Sequence, residues 1–136
     1  NKLRSIIYLF LSFYQENPDN ASIIMLILKH NKKFLNTEGH LEIKKALRII
    51  DETIEDGIES GEFRADVNVY LTRSIIIGTI EHLVTSWLMT GRPENLTELA
   101  DPLVDIVIEG IQSKETVDNA LGVIKIQLCH DNENES

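Results

Sequence analysis

The side chains that could coordinate a transition metal are four histidines and one cysteine. His30, His40, His82 and His130 are scattered along the chain, and Cys129 is the only thiol. A structural zinc site gathers its ligands through short spacings such as Cys-x-x-Cys, and no such spacing occurs here. We therefore expect no metal site. A single cysteine also cannot form an intrachain disulfide, which is typical of a protein from the reducing cytosol.

The acidic residues do not form a catalytic or di-iron pattern either. Glu38 lies four residues before Glu42, and Glu52, Glu55 and Glu59 follow further along the chain. Di-iron bundles use Glu-x-x-His on paired helices, and no such tetrad is present, so we interpret these carboxylates as solvated helix faces. The sequence also has no Gly-rich phosphate loop and no Gly-x-Ser-x-Gly elbow. Its Ser, His and Asp residues do not follow an order that is typical of a catalytic triad. We expect neither enzymatic activity nor a cofactor.

Basic residues are concentrated in one region of an acidic chain. Six of the thirteen cations form a basic cluster, Lys29, Lys32, Lys33, Lys44, Lys45 and Arg48. The cluster could be a shallow mouth for a phosphate or carboxylate of a ligand, or a solvated helix end, and the sequence leaves both open. The net charge of -9 repels a polyanion, so these residues are not expected to grip nucleic acid unaided.

The segment from Asn68 to Gly91 predicts a helix with two faces to bury. Asn68 is a capping residue, Gly91 ends the segment, and only Arg73 and Glu81 between them carry a fixed charge. One side is an apolar stripe of Val69, Ile76, Ile80, Leu83, Val84 and Trp87. The other side is rich in small residues: Ser74, Gly78, Thr79, Thr85 and Ser86. Because small residues let helices approach closely, the second side is expected to meet a helix of a second subunit.

Glu81 and His82 stand in the middle of this apolar helix. A buried ionisable group needs a partner, so one of them could meet a ligand or tune a dimer contact. The alternative is that both pair across a helix interface with no further role. The sequence does not decide between the two interpretations.

The remaining patterns are also helical. Apolar spacing predicts helices over residues 3–15 and 40–60, and one after Asn95 in which Pro102 either causes a bend or follows a cap at Asp101. Pro18 suits the first turn of another helix, which would carry the apolar run 23–28 toward Leu35, although a buried strand would give the same run. Residues 113–136 are ambiguous, and we favour a helix there.

Length and hydropathy bound the class of protein. The 136 residues are the size of one domain, no apolar span reaches membrane length, and no basic-then-apolar leader opens the chain. We therefore expect a cytoplasmic protein without a membrane partner. A chain that begins inside a helix and without Met is expected to lack an N-terminal part.

Three runs of sequence carry a family resemblance. They are Gly57-Ile-Glu-Ser-Gly-Glu-Phe63, Asp66-Val-Asn-Val-Tyr-Leu-Thr-Arg73 and Gly78-Thr-Ile-Glu-His-Leu-Val-Thr-Ser-Trp87. Together they resemble the effector domain of a tetracycline-repressor-family transcriptional regulator, over about Asn1 to Lys114. The branch they resemble represses fatty-acid degradation genes and is released by long-chain acyl-coenzyme A.

The resemblance implies an all-α ligand-binding and dimerisation domain over residues 1–114, with a C-terminal extension over 115–136. Two helices of each subunit, about 68–90 and 96–112, would form a four-helix bundle in a homodimer. The implied interface residues are Ser74, Gly78, His82, Thr85, Ser86, Met89, Leu103, Val107 and Ile111. Operator DNA would be read by an N-terminal helix-turn-helix that this sequence does not contain.

The implied effector is a hydrophobic small molecule, held in a cavity between the helices. Its candidate contacts are Phe10, Phe13, Tyr14, Ile24, Met25, Leu28, Leu47, Ile50, Ile54 and Ile77. Filling the cavity would favour a dimer whose DNA-reading heads are spaced wrongly for the operator. The competing interpretation is a helical adaptor, whose exposed apolar face binds a partner helix and which has no internal cavity.

Overall fold

Five α-helices occur in the part of the chain that the structure describes, which comprises residues 2–27, 32–33 and 38–113 of a computed structural model. Their bounds are α1 Lys2–Glu16, α2 Pro18–Ser22, α3 Glu38–Glu59, α4 Val69–Thr90 and α5 Ala100–Ile111. A π-helical turn, Ile23–Ile27, continues α2, and a 3-10 turn, Leu96–Leu99, leads into α5. The all-α expectation is confirmed for these residues. The expectations for residues 28–31, 34–37 and 114–136 lie outside them.

Helix α1 enters the core through one face, as its apolar spacing predicts. Its buried residues recur every three or four positions: Leu3, Ile7, Leu11 and Tyr14. This face packs mainly against α5 and the 3-10 turn before it. The helix predicted over residues 3–15 is confirmed, with one more residue at each end.

Polar contacts tie α1 to α5 along its length. The guanidinium of Arg4 pairs with Asp101 at 2.7 Å and with Asp105 at 3.5 Å. At the other end of α1, the side-chain oxygen of Gln15 accepts a hydrogen bond from the backbone N–H of Leu96. The two helices therefore run antiparallel, and α1 is joined to both the start and the first turns of α5.

The apolar run after Pro18 is helical and not a strand over its described residues, 23–27. Pro18 is the first residue of α2, and Asn17 precedes it without capping through its side chain. The Asn17 amide donates instead to the carbonyl of Phe13, at 2.9 Å, and so closes the end of α1. The chain then widens into the π-helical turn, which buries Met25.

A close approach at the end of α3 explains the glycine of the first family motif. Phe63 folds back over Gly57 and is almost fully buried there. A Cβ atom at Gly57 would lie 2.2 Å from the Phe63 ring, so only glycine fits this position without a shift. The backbone reverses at Gly61, whose φ of 82° lies in the left-handed region.

The segment after this turn is fastened to the end of α5. The backbone N–H of Arg64 donates to the carbonyl of Ile111 at 2.9 Å, and that of Ser113 donates to Glu62 at 2.9 Å. The Arg64 guanidinium also donates to the carbonyl of Gly110, at 2.8 Å. A cation at the carbonyl end of a helix satisfies free acceptors and complements the helix dipole. The ends of α3 and α5 are thus held together.

Helix α4 is capped as the sequence predicts. The side chain of Asn68 accepts from the backbone N–H of Leu71 at 2.9 Å, and Gly91 closes the helix with a φ of 69°. Its innermost residues recur at intervals of four: Thr72, Ile76, Ile80 and Val84.

The start of α5 is capped from another helix. Asn95 precedes the 3-10 turn but makes no side-chain cap bond, and the backbone N–H groups of Leu96 and Thr97 donate to Gln15. The α-helix proper begins at Ala100, so of the two alternatives offered for Pro102, the one with a cap at Asp101 and Pro102 as the first helical residue is wrong. Pro102 therefore lies in the first turn, where its missing N–H has no intrahelical acceptor.

Replacing Gly57 tests the close approach to Phe63. We expect Gly57→Ala to lower the free energy of unfolding by about 1–3 kcal/mol, which is typical of overpacking. Urea unfolding would measure this change. In a Phe63→Leu background the added methyl has room, and the cost of Gly57→Ala should fall to roughly zero. An equal cost in both backgrounds would exclude the Phe63 contact as its cause.

Replacing Gln15 tests the cap supplied by α1. Gln15→Leu leaves two backbone donors at the start of the 3-10 turn without their acceptor, so we expect a loss of about 1–2 kcal/mol. Gln15→Glu keeps an acceptor and adds a negative charge at a helix N-terminus, so it should retain stability at neutral pH. Thermal unfolding of both variants measures this. A loss of equal size in both would contradict the proposed cap.

Candidate functional site

Nine of the ten residues predicted to contact a ligand lie in the described part of the chain, and Leu28 lies outside it. Eight of these nine are buried or half-buried. Tyr14, Met25, Ile50 and Ile54 belong to the core itself, Phe10, Ile24 and Ile77 pack against it, and Leu47 is half-buried. Phe13 is 49% exposed. The predicted residues therefore lie in and around one apolar core, to which α1, the π-helical turn, α3 and α4 contribute them, and their role in ligand binding stays a prediction.

Tyr14 brings a polar group to this core. Its ring lies edge-on to Phe13, with 5.6 Å between the ring centroids. Burial raises the pKa of the Tyr14 phenol above its usual 10.0, so the hydroxyl is neutral at physiological pH. A neutral phenol can donate or accept one hydrogen bond at the edge of an apolar site.

An ion pair between α3 and α4 was not predicted from the sequence. Arg73 donates from Nη1 to Oδ2 of Asp51 at 2.8 Å, and the side chains are 23% and 25% exposed. The guanidinium also lies 5.2 Å from the centroid of the Tyr70 ring. The other carboxylate oxygen, Oδ1 of Asp51, is buried and has no hydrogen-bond partner among the described residues. No local sequence pattern predicts this pair, because Asp51 and Arg73 are 22 positions apart.

Helix α4 carries a second face that is directed away from its own core. This outward face consists of Leu71, Ile75, Gly78, His82 and Met89, all exposed. Three of these five are large apolar residues, and only His82 is titratable. The interface prediction includes Gly78, His82 and Met89 of this face and does not include Leu71 or Ile75. Ser74, Thr85 and Ser86, which it also included, are half-buried.

The predicted interface residues on α5 are largely covered within their own chain, and their role at a subunit contact stays a prediction. Leu103, Val107 and Ile111 are 8%, 6% and 8% exposed, so they already pack against their own chain. The family resemblance implies a subunit contact for them. Ile106, which is 72% exposed, marks the face of α5 that is directed outward.

The remaining candidate features are surface features. Lys32, Lys33, Lys44, Lys45 and Arg48 of the basic cluster are exposed, and Lys29 lies outside the described residues. In that described part, no group of three or more His, Cys, Asp or Glu residues could hold a metal ion. No helix there is long and apolar enough to cross a membrane.

One surface cleft lies at the junction of α1 and α3, with a volume of about 280 Å³. Its lining residues are Lys2, Thr53, Asp56, Gly57, Ser60, Glu62 and Phe63. None of the residues predicted to contact a ligand is among them. The cleft is therefore separate from the predicted effector site.

Sequence comparison relates the chain to a family of regulator domains. The TetR C-terminal family described as "YsiA-like protein, C-terminal region" matches residues 1–110. The fatty acid metabolism regulator protein of Bacillus subtilis is 29% identical over 113 residues, which are 83% of this chain and 58% of that protein. The HTH-type transcriptional regulator YdgC of the same organism, whose function is uncharacterised, is 30% identical over 81 residues, covering 60% of this chain and 41% of YdgC.

Solved structures show the same fold. The transcriptional regulator FadR from Bacillus subtilis, in complex with stearoyl-CoA, superposes with a TM-score of 0.65 at 28% identity. The fatty acid degradation regulator FadR from Bacillus halodurans superposes with a TM-score of 0.64 at 26% identity. Each match covers 81% of this chain and 59% of the other. The chain thus spans about three-fifths of the length of these relatives.

Proposed function

Because the chain belongs to the TetR C-terminal family of YsiA-like proteins, we propose that it is the effector-binding and dimerisation part of a ligand-responsive repressor. This is a family of transcriptional regulators and not of enzymes. The observation that carries the proposal is the family match over residues 1–110. The proposed effector is a hydrophobic molecule with a long acyl chain, such as a long-chain acyl-coenzyme A. The FadR protein of Bacillus subtilis was solved with stearoyl-CoA, which supports this chemical class.

The effector is proposed to enter between α1, the π-helical turn, α3 and α4. These elements contribute the apolar side chains predicted to contact it, and burial of an acyl chain among them would be favourable by about 25 cal/mol per Å². Phe13, Ile23 and Leu26 are already partly open to solvent at one side of this region. A site of this kind needs few polar groups, which fits the scarcity of charged residues in the core.

Dimerisation is proposed to use the outward faces of α4 and α5. Gly78 is exposed in the middle of α4, and a Cβ atom there would meet nothing within 4 Å in its own chain. Packing within the chain therefore does not require glycine at this position. A mid-helix glycine nevertheless costs about 1 kcal/mol relative to alanine, so its presence needs another reason. Close approach of a second helix is such a reason, and a two-fold axis near the middle of α4 would bring it against the same helix of the partner.

Operator binding is proposed to reside in a helix-turn-helix outside these residues. The matches cover 58% of the fatty acid metabolism regulator and 41% of YdgC, and YdgC is named for such a motif. An effector that binds one arrangement of the dimer more tightly shifts the population toward it. The antiparallel pair of α1 and α5 would couple effector binding to the dimer contact, because α1 contributes proposed effector contacts and α5 contributes a proposed dimer surface.

Ligand binding tests this function against a helical adaptor without a cavity. Stearoyl-CoA should raise the thermal unfolding temperature of the 136-residue chain. At a free concentration one hundred times its Kd, the stabilisation would be about 2.7 kcal/mol. Free coenzyme A is the control and should give a much smaller shift, because it lacks the acyl chain. If neither stearoyl-CoA nor any other long-chain lipid raises the unfolding temperature, the adaptor interpretation is favoured.

Gly78→Ala tests the dimer. Within one chain the substitution has room and should stabilise α4 by roughly 0.5–1 kcal/mol. At a close helix–helix contact it should weaken dimerisation by about tenfold or more, since overpacking costs about 1–3 kcal/mol. Sedimentation measures the dimer constant, and unfolding of the dilute chain measures the first effect. A wild-type monomer at micromolar concentration, or unchanged association of the variant, would contradict the proposed interface.

A further inference from the structure

The ion pair of Asp51 and Arg73 joins α3 and α4, two of the helices that form the proposed effector site. Asp51 directly follows Ile50 on α3, and Arg73 lies one turn before Ile77 on α4. Both neighbours are among the residues proposed to contact the effector. About three-quarters of each charged side chain is covered. The pair therefore places two charged groups next to proposed effector contacts along α3 and α4.

The pair is geometrically incomplete. An arginine opposite a carboxylate can form two parallel hydrogen bonds that use both carboxylate oxygens. Here only Oδ2 of Asp51 is used, by Nη1 of Arg73 at 2.8 Å. Oδ1 is buried and has no partner among the described residues. A buried acceptor without a donor is costly, so this oxygen marks a position at which a donor would be stabilising.

Arg73 has donors to spare. The only hydrogen bond of its side chain within the described residues is the one to Asp51, which leaves the remaining guanidinium N–H groups for another acceptor. Its position near the Tyr70 ring, 5.2 Å from the centroid, stabilises the guanidinium without using them. The pair thus presents an unused acceptor beside unused donors.

We propose that Asp51 and Arg73 bind a secondary amide of the effector. The amide N–H would donate to Oδ1 of Asp51, and the amide carbonyl would accept from Arg73. A free carboxylate does not fit this position, because it has no donor and is repelled by Asp51. This inference rests on the proposed function, and it adds that the site selects an acyl compound with an amide close to its chain. The pantetheine arm of an acyl-coenzyme A and a simple N-alkyl fatty amide both supply that group.

Three probes with the same chain distinguish these chemistries: stearoyl-CoA, N-methylstearamide and stearic acid. Their dissociation constants would be measured for the 136-residue wild type and for Asp51→Asn, which keeps the size of the side chain and removes its charge. We expect both amide ligands to bind roughly ten- to a hundredfold more weakly to Asp51→Asn, as for a lost hydrogen bond to a charged group. Stearic acid should bind Asp51→Asn at least as tightly as it binds the wild type, because the substitution removes the charge that repels its carboxylate.

Two further variants distinguish a loss of ligand binding from a loss of folding. Arg73→Lys keeps the positive charge opposite Asp51 and loses the planar donor array, so it should also weaken the two amide ligands selectively. Asp66→Asn is the matched control, because Asp66 pairs with Arg64 at 3.1 Å on the exposed turn after α3. It should leave all three constants unchanged. Thermal unfolding of every variant would show that the compared chains are folded.

The outcomes separate this inference from the proposed function. If the wild type binds the probes and Asp51→Asn weakens all three equally or none of them, the pair is structural and the inference is overturned. Selective weakening of stearoyl-CoA without N-methylstearamide would overturn the assignment to an amide. If the wild type binds none of the probes, the proposed function itself fails, and the inference fails with it.

Discussion

The constraint on which this structure depends is that α4 has too little polar surface for a helix with one buried face. Thr72, Ile76, Ile80 and Val84 fill the core of the chain, while Leu71, Ile75 and Met89 remain exposed on the opposite side. An exposed apolar face is costly in water and is typical of an interaction site, which agrees with the proposed dimer contact. The caps at Asn68 and Gly91 hold the length and phase of this helix, so the two faces cannot exchange places. The rest of the fold covers one face and leaves the other available.

The connections around α1 and α5 explain how a change at one surface could reach another. Arg4 and Gln15 fasten α1 to the start of α5, and Arg64 fastens the end of α3 to the end of α5. A rigid displacement of α1 or α3 would therefore strain these contacts unless α5 moves as well. Coupling of this kind requires two arrangements that are both allowed, and the proposed effector would act by its different affinity for them.

Local patterns in the sequence predicted the helices well. The caps of α4, the helix over residues 3–15 and the glycine-bounded turn after α3 each follow from neighbouring residues, whose chemistry acts within one or two turns. What the sequence could not supply is long-range pairing. The cap that Gln15 gives to Leu96 and the pairing of Asp51 with Arg73 join distant positions. Periodicity also cannot distinguish burial within one chain from burial against a partner, so the interface role implied for Leu103 and Val107 by the family resemblance stays a prediction.

The packing of the proposed effector site bears on how regulation would operate. Ile50 and Ile54 are fully buried and Met25 is nearly so, which means that an acyl chain among them must displace existing contacts. Protein interiors are close-packed, so the displaced side chains cannot be absorbed locally and their helices must shift. The gain from burying the acyl chain is then partly offset by that rearrangement. A site that opens only when it is filled converts apolar burial into movement of α1 and α3, and a rigid, preformed cavity would bind more tightly but would transmit nothing.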